Sequence, residues 1–150
     1  MRVRFLLVAV LAACQPYASA ALGSDRRNVS LAAGGGARDF TIGIGAQVND
    51  RPEAETMAGT ASLDFTWSII RVKGLAANIH AGPAVTSVVD MATGERGFGY
   101  GVHYGAGFAW KLPFITAFVD FHRVAAVIEG GSAPGTIVFD GAIAGIALRR

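Results

Sequence analysis

Cysteine and charge are both scarce in this chain of 150 residues. The single cysteine, Cys14, can form no disulfide within the molecule, so stability has to come from packing and backbone pairing. Charged residues make up 16% of the chain, with a formal net charge of +2 and no basic cluster. We therefore expect no nucleic-acid partner. The length allows one domain and is too short for a two-domain enzyme.

The N-terminal segment has the layout of a bacterial export signal, with two arginines, an apolar run and then small residues (MRVRFLLVAVLAACQPYASA). The apolar run is too short to cross about 30 Å of hydrocarbon as a helix, so we expect it to be cleaved. Two cleavage sites compete. LAAC, ending at Cys14, resembles the lipobox of bacterial lipoproteins, in which the cysteine is lipidated, and ASA, ending at Ala20, fits an ordinary signal. We predict an export signal over residues 1–20, cleaved before Cys14 or after Ala20, and one domain over 21–150.

Helical periodicity is absent after this segment, and apolar residues alternate with small or polar ones instead. The clearest case is GFGYGVHYGAGFAWKL, Gly97–Leu112, where aromatic residues occupy one face and glycines most of the other. Six further segments alternate in this way or nearly so, and an eighth is expected within YASAALGS. Short connections alternate with longer polar ones. The pattern predicts an all-β, antiparallel up-and-down transmembrane β-barrel of eight strands.

A soluble sandwich or soluble barrel would also alternate, but it would carry charges on its outward strand positions. Here nearly all charges fall in turns, and an uncharged aromatic face of this length favours lipid over water. The aromatic residues predicted to face lipid are Trp67, Phe98, Tyr100, Tyr104, Phe108 and Trp110. The inward positions would be crowded by glycine, alanine and serine, because a barrel of eight strands is only just wide enough for side chains.

This pattern of faces and loops resembles the small bacterial outer-membrane β-barrel proteins. The resemblance implies a location in the bacterial outer membrane, with outer-membrane lipid as the surroundings of the barrel. Such proteins usually end in an aromatic residue, whereas this chain ends in IALRR. A barrel inserted as part of a larger envelope complex would be consistent with that ending.

Three histidines and several aspartates fall on the predicted strands. Antiparallel pairing about the predicted turns places Asp64 opposite His80, and it places His103, His122 and Asp140 in one band. The band could act as a general base with its orienting partner or as a set of metal ligands. We favour a polar network that fills the lumen and fixes the strand register, and we expect no metal, cofactor or catalytic site.

Three functions are consistent with the sequence. The first, which we favour, is a non-enzymatic structural or interaction component of the bacterial envelope, contacting protein partners through the loops Asn49–Gly59, Asp90–Gly97 and Glu129–Gly135. The second is a lipid-modifying enzyme using the lumenal His/Asp cluster. The lipid A deacylases resemble this chain in size, but their histidine and nearby serine have no match in IHAG, VHYG or FHRV. The third is a lipid-anchored periplasmic binding barrel.

Overall fold

The computed structural model describes residues 15–23, 27–37, 39–131 and 134–149. The predicted lipidation site, Cys14, and the export signal before it lie outside the described residues. The described chain forms one short 3-10 turn, Pro52–Ala54, and eight strands. The strands are β1 (Gln15–Gly23), β2 (Asn28–Gly36), β3 (Phe40–Arg51), β4 (Thr56–Val72), β5 (Leu75–Asp90), β6 (Arg96–Lys111), β7 (Ile115–Glu129) and β8 (Gly135–Arg149).

Each strand pairs antiparallel with the next, and β1 pairs with β8, so the sheet closes into an up-and-down barrel. Closure lets the backbone groups of the wall pair with one another, and on its β1 side β8 is paired over Ile143–Arg149. The predicted fold class and strand number are confirmed. Among the described residues, no helix has the length and apolar character needed to cross a bilayer.

The strand that closes the barrel is β1, which contains most of the predicted segment YASAALGS. Its residues Tyr17–Gly23 pair with Ile143–Arg149 of β8. Residues 15–20, which the sequence analysis placed in the export signal, thus lie in a strand of the barrel. Residues 15–20 would be lost on cleavage after Ala20, yet they form most of this strand.

The two ends of the barrel differ in their connections. One end, here called the turn end, carries the β2–β3, β4–β5 and β6–β7 connections. The β4–β5 connection is a two-residue turn in which Lys73 and Gly74 have φ of 46° and 87°, as a type I′ hairpin requires. The opposite end, the loop end, carries the other four connections. Two of its predicted loops, Asn49–Gly59 and Asp90–Gly97, are shorter than expected, since pairing continues as far as Arg51 opposite Thr56 and Val89 opposite Arg96.

Side chains alternate between the outer wall and the lumen along each strand. The outer wall exposes large apolar side chains from all eight strands, including Leu22, Ile44 and Phe121. Away from the strand ends, the charged side chains on the described outer wall are Arg123 and Asp140. An apolar wall of this kind is the reverse of a soluble barrel, whose apolar face is turned inward.

The lumen is divided into an apolar and a polar part. Toward the loop end it is filled by a cluster of inward apolar side chains, namely Ala58, Val88, Val124, Ala126, Ile128 and Phe139. Ile137 packs against this cluster, which we call the loop-end plug. Nearer the middle and the turn end, Ser, Thr, Asn, Gln, Asp and His side chains share the lumen with small residues and with a few larger ones such as Phe118 and Ile143. The polar part of the lumen contains the candidate site.

Candidate functional site

The site is built on three neighbouring strands whose register brings one row of residues together. His80 of β5 lies opposite Gly105 of β6, and Gly105 lies opposite His122 of β7. A Cβ atom at Gly105 would lie 2.5 Å from Nε2 of His80 and 2.3 Å from the carbonyl oxygen of Phe121. A side chain at position 105 would clash with the His80 ring, so only glycine fits there. This explains part of the glycine face of β6.

Asp120 occupies the next inward position of β7 and lies opposite Gly107. The ring N–H at Nε2 of His80 donates to both carboxylate oxygens of Asp120, at 3.1 and 3.0 Å. A Cβ at Gly107 would lie 2.6 Å from Asp120 Oδ1, so this glycine also makes room for the cluster. The hydrogen bond fixes the His80 ring with its other nitrogen, Nδ1, turned away from Asp120.

Asp64 of β4 approaches the opposite side of the His80 ring. Its Oδ1 lies 3.3 Å from His80 Nδ1 and 3.7 Å from Nδ1 of His103. Its other oxygen, Oδ2, accepts a hydrogen bond from the Thr66 hydroxyl at 3.2 Å. The side chains of Asp64, His80 and His103 are 19%, 8% and 13% exposed, so the three groups meet almost out of contact with bulk water.

His122 continues the cluster across the barrel. The amide of Gln47, on β3, reaches across the lumen to Nε2 of His122 at 2.6 Å and also donates to Asn49 at 2.9 Å. The three imidazoles form a column, with ring centroids 4.7 Å apart for His80 and His103 and 6.0 Å apart for His103 and His122. Polar contacts thus tie β3, β4, β5, β6 and β7 together through the lumen.

The structure brings some of the predicted residues together and separates others. Asp64 and His80 are in contact, although His80 lies directly opposite Thr66 rather than Asp64. His103 and His122 share the lumen, although His122 lies directly opposite Gly105.

The prediction that Asp140 belongs to this band is wrong. Asp140 pairs with Arg123 rather than with His122, which turns its side chain to the outer wall. There its carboxylate accepts hydrogen bonds from the Arg123 guanidinium, one of them from Nη2 at 2.8 Å. A shift of one residue in register moves a side chain to the other face of the sheet. The band of His103, His122 and Asp140 is therefore not assembled.

Asp120 is the member of the cluster that the sequence analysis did not select. It stands two residues before His122 on the same strand, and side chains two apart on a strand share a face. That spacing alone would have placed Asp120 in the lumen on the same face as His122. Gln47 could not have been found in this way, because its contact with His122 crosses the barrel.

The cluster lines a cavity of about 170 Å³ in the middle of the lumen. Toward the turn end the cavity continues into a wider vestibule of about 630 Å³, whose lining includes Arg71, Lys73 and Lys111. The two spaces share the lining residues Tyr17, Thr41, Asn78, Ala109 and Thr116. Toward the loop end the plug lies above the cluster. The polar lumen is thus a pocket that opens at one end of the barrel.

The six aromatic residues predicted to face lipid all lie on the outer wall. Their exposed fractions run from 42% for Tyr104 to 66% for Tyr100. On β6, Phe98 and Tyr100 lie near the loop end, and Phe108 and Trp110 lie near the turn end. Aromatic side chains at both ends of a strand are typical of the interface girdles of membrane barrels.

The closed eight-stranded ring, its apolar wall and its filled lumen define a small transmembrane β-barrel of the outer-membrane type. The crystal structure of Neisserial surface protein A (NspA) matches with a TM-score of 0.66 and 9% identity, covering 91% of this chain and 94% of that one. A de novo designed transmembrane β-barrel has a TM-score of 0.48 and 12% identity over 92% of this chain and 96% of its own. No protein-family model and no curated protein matches the sequence. At these identities the likeness shows the fold and not the function.

Proposed function

We propose that this chain is a non-enzymatic barrel of the bacterial outer membrane that serves as a structural or interaction component of the envelope. Two features together support the proposal: the outer wall is apolar, and the lumen is closed at one end. The wall supports residence in lipid, since exposed apolar surface of this extent would aggregate in water. The plug argues against transport.

A channel would need a continuous polar path through the lumen. The loop-end plug interrupts that path with side chains such as Val124, Ile128 and Phe139, which are 0%, 3% and 6% exposed. Polar pairs lie next to the plug, such as the hydroxyls of Thr60 and Thr86 at 3.1 Å, and they fill the lumen further. The interior of an eight-stranded barrel has little width to spare in any case. We therefore expect the barrel to pass neither ions nor small solutes.

Partner contacts fall most naturally on the loop end. The described residues of the predicted contact segments 49–59, 90–97 and 129–135 lie at this end, mostly in strand ends and short turns. In outer-membrane barrels this is the outward side, because the tight turns face the periplasm. A rigid rim of short connections suits the docking of another envelope protein better than the capture of a large ligand.

Lipid modification is less well supported by the geometry. The cluster of His80, His103 and His122 faces the lumen, and the strands of the wall lie between it and the surrounding lipid. A catalytic base would have to reach a bond of the lipid substrate within hydrogen-bond distance. In addition, the third residue of the predicted catalytic set, Asp140, lies on the outer wall.

Export is part of the proposal, and the closing strand bears on where the signal is removed. Cleavage after Ala20 would delete residues 15–20 and leave Gly145–Arg149 of β8 without most of their partners. Cleavage before Cys14 would leave β1 whole. We therefore propose maturation ahead of β1, with Cys14 as the first residue and the lipidation site. The intact mass of the mature protein would distinguish the two cleavage sites.

The experiment that tests the proposal has two parts. Fractionation of cells, with heat-modifiable migration on a gel as the sign of a folded barrel, is expected to place the protein in the outer membrane. Liposomes containing the purified protein are expected to retain a trapped small ion. A Phe139→Ala and Ile128→Ala double variant, which thins the plug, is the matched control and should leak more. A soluble periplasmic protein, or a wild-type barrel that leaks as freely as the double variant, would contradict the proposal.

A further inference from the structure

The buried polar atoms of the lumen that make no hydrogen bond are concentrated in the histidine cluster. Five such side-chain atoms occur in the described part of the chain, and four belong to the cluster: Asp64 Oδ1, His80 Nδ1, His103 Nδ1 and His122 Nδ1. Buried polar atoms in folded proteins are nearly always paired, so a local set of unpaired ones points to a missing partner. We propose that Asp64, His80 and His103 form a binding site for a divalent transition metal ion, with Zn²⁺ as the best fit.

The spacing of the donor atoms fits one ion. Asp64 Oδ1 lies 3.3 Å from His80 Nδ1 and 3.7 Å from His103 Nδ1. One donor atom from each residue lies within 4.8 Å of the other two. Tetrahedral ligands at about 2.0–2.1 Å from zinc are about 3.3–3.4 Å apart, so the two distances from Asp64 Oδ1 are close to those around a bound ion.

His80 is oriented as a metal ligand would be. Its Nε2–H donates to Asp120, so in the neutral ring Nδ1 carries a lone pair. That lone pair faces an oxygen of Asp64 at 3.3 Å, without the alignment of a hydrogen bond. In that tautomer two acceptors face each other, and either a proton or a metal cation between them would relieve the repulsion. A histidine that donates its second nitrogen to a carboxylate is the usual arrangement around a bound metal.

The charge of the lumen also favours a cation. Asp64 and Asp120 are both mostly buried, and within the described residues neither forms an ion pair with Lys or Arg. The basic groups that the described residues place beside these carboxylates are imidazoles, so a bound cation would add positive charge next to two buried acids. Two imidazole nitrogens and one carboxylate oxygen form a donor set suited to zinc and its neighbours rather than to calcium or magnesium.

The cavity gives the ion a route and a remaining coordination position. The three residues line the central cavity, which continues into the vestibule at the turn end. Three protein ligands leave a fourth position for a water molecule or a small ligand from the cavity. The proposed metal site depends only on residues of the lumen. It therefore goes beyond the proposed envelope role, because the barrel could bind the ion in whichever membrane it lies.

Cobalt titration of the purified full-length barrel tests the site, since tetrahedral Co²⁺ absorbs visible light far more strongly than hydrated Co²⁺. After removal of metal with a chelator, the wild-type barrel is expected to take up one Co²⁺ per chain with this strong absorption, and Zn²⁺ should displace it. Asp64→Asn and His103→Gln should each weaken binding by at least about tenfold. Asp120→Asn should weaken it about 10–100-fold while keeping the shape of the spectrum, as expected of a residue that orients a ligand.

Thr86→Val is the matched control, because Thr86 is buried in the same lumen but contacts Thr60 and not the cluster. It should bind Co²⁺ as the wild type does. Heat-modifiable migration confirms that each variant is folded, and the wild-type titration decides the question if a variant does not fold. Absence of tetrahedral Co²⁺ absorption in the wild type would overturn the proposal. Binding that survives both Asp64→Asn and His103→Gln unchanged would also overturn it.

Discussion

Replacing Gly105 by alanine tests whether the glycine face of β6 exists to make room for the lumenal cluster. The added Cβ would lie 2.3 Å from the carbonyl oxygen of Phe121, 2.5 Å from His80 Nε2 and 2.9 Å from the Cα of His122. Two of these three atoms are backbone, so the strands β6 and β7 would have to separate or the His80 ring would have to move.

The expected loss combines two effects. Forcing a methyl group into a packed interior costs about 1–3 kcal/mol. Displacing His80 also weakens its hydrogen bond to Asp120, and a hydrogen bond to a charged group contributes about 1.5–3 kcal/mol. We therefore expect Gly105→Ala to lower the free energy of unfolding by about 2–5 kcal/mol, since the two effects overlap in part.

Reversible urea unfolding in lipid vesicles, followed by tryptophan fluorescence, measures this difference. Gly59→Ala is the matched control, because a Cβ at Gly59 meets nothing within 4 Å. It should change the free energy of unfolding by no more than about 0.5 kcal/mol. If Gly105→Ala unfolds at the same urea concentration as Gly59→Ala, the cluster does not account for this glycine.

Three further outcomes are expected. A protein lacking residues 15–20 should give no heat-modifiable barrel, because β8 loses most of its pairing with β1, whereas one beginning at Gln15 should fold. Arg123→Ala and Asp140→Ala should each destabilise the barrel in lipid more than the double replacement does, since each single change leaves one unpaired charge on the outer wall; a double-mutant cycle measures the coupling. Trp110, 59% exposed on the outer wall, should be quenched by brominated lipid chains, and equal quenching by an aqueous quencher alone would contradict its lipid contact.

Much of the fold could be predicted because the alternation of faces survives small errors in position. The run Gly97–Leu112 places aromatic residues outward and small residues inward, and this does not depend on the exact bounds of the adjacent strands. The segment YASAALGS was recognisable as the closing strand because the strand count required one more. These properties depend on the period of the pattern and not on the register.

The composition of the site depends on register, and the turns set the register. The β4–β5 connection is centred between Lys73 and Gly74, which alone would place His80 opposite Trp67, and a bulge between Ser68 and Ile70 moves the pairing back by one residue. His80 therefore lies opposite Thr66 and reaches Asp64 diagonally. On β8 a shift of one residue exchanges the faces, which moves Asp140 to the outer wall. Neither the bulge nor the length of pairing beyond the turns is visible in the alternation.

A barrel that spans the outer membrane with its loop end outward exposes that end alone to the medium, and cysteine labelling of intact cells detects this orientation. Thr93→Cys places a thiol in the β5–β6 connection at the loop end, and Lys73→Cys places one in the β4–β5 turn. The parent protein, with Cys14 alone, gives the background. A membrane-impermeant maleimide should label Thr93→Cys on intact cells and Lys73→Cys only after the outer membrane is permeabilised. Labelling of both sites on intact cells, or of neither before permeabilisation, would contradict the account.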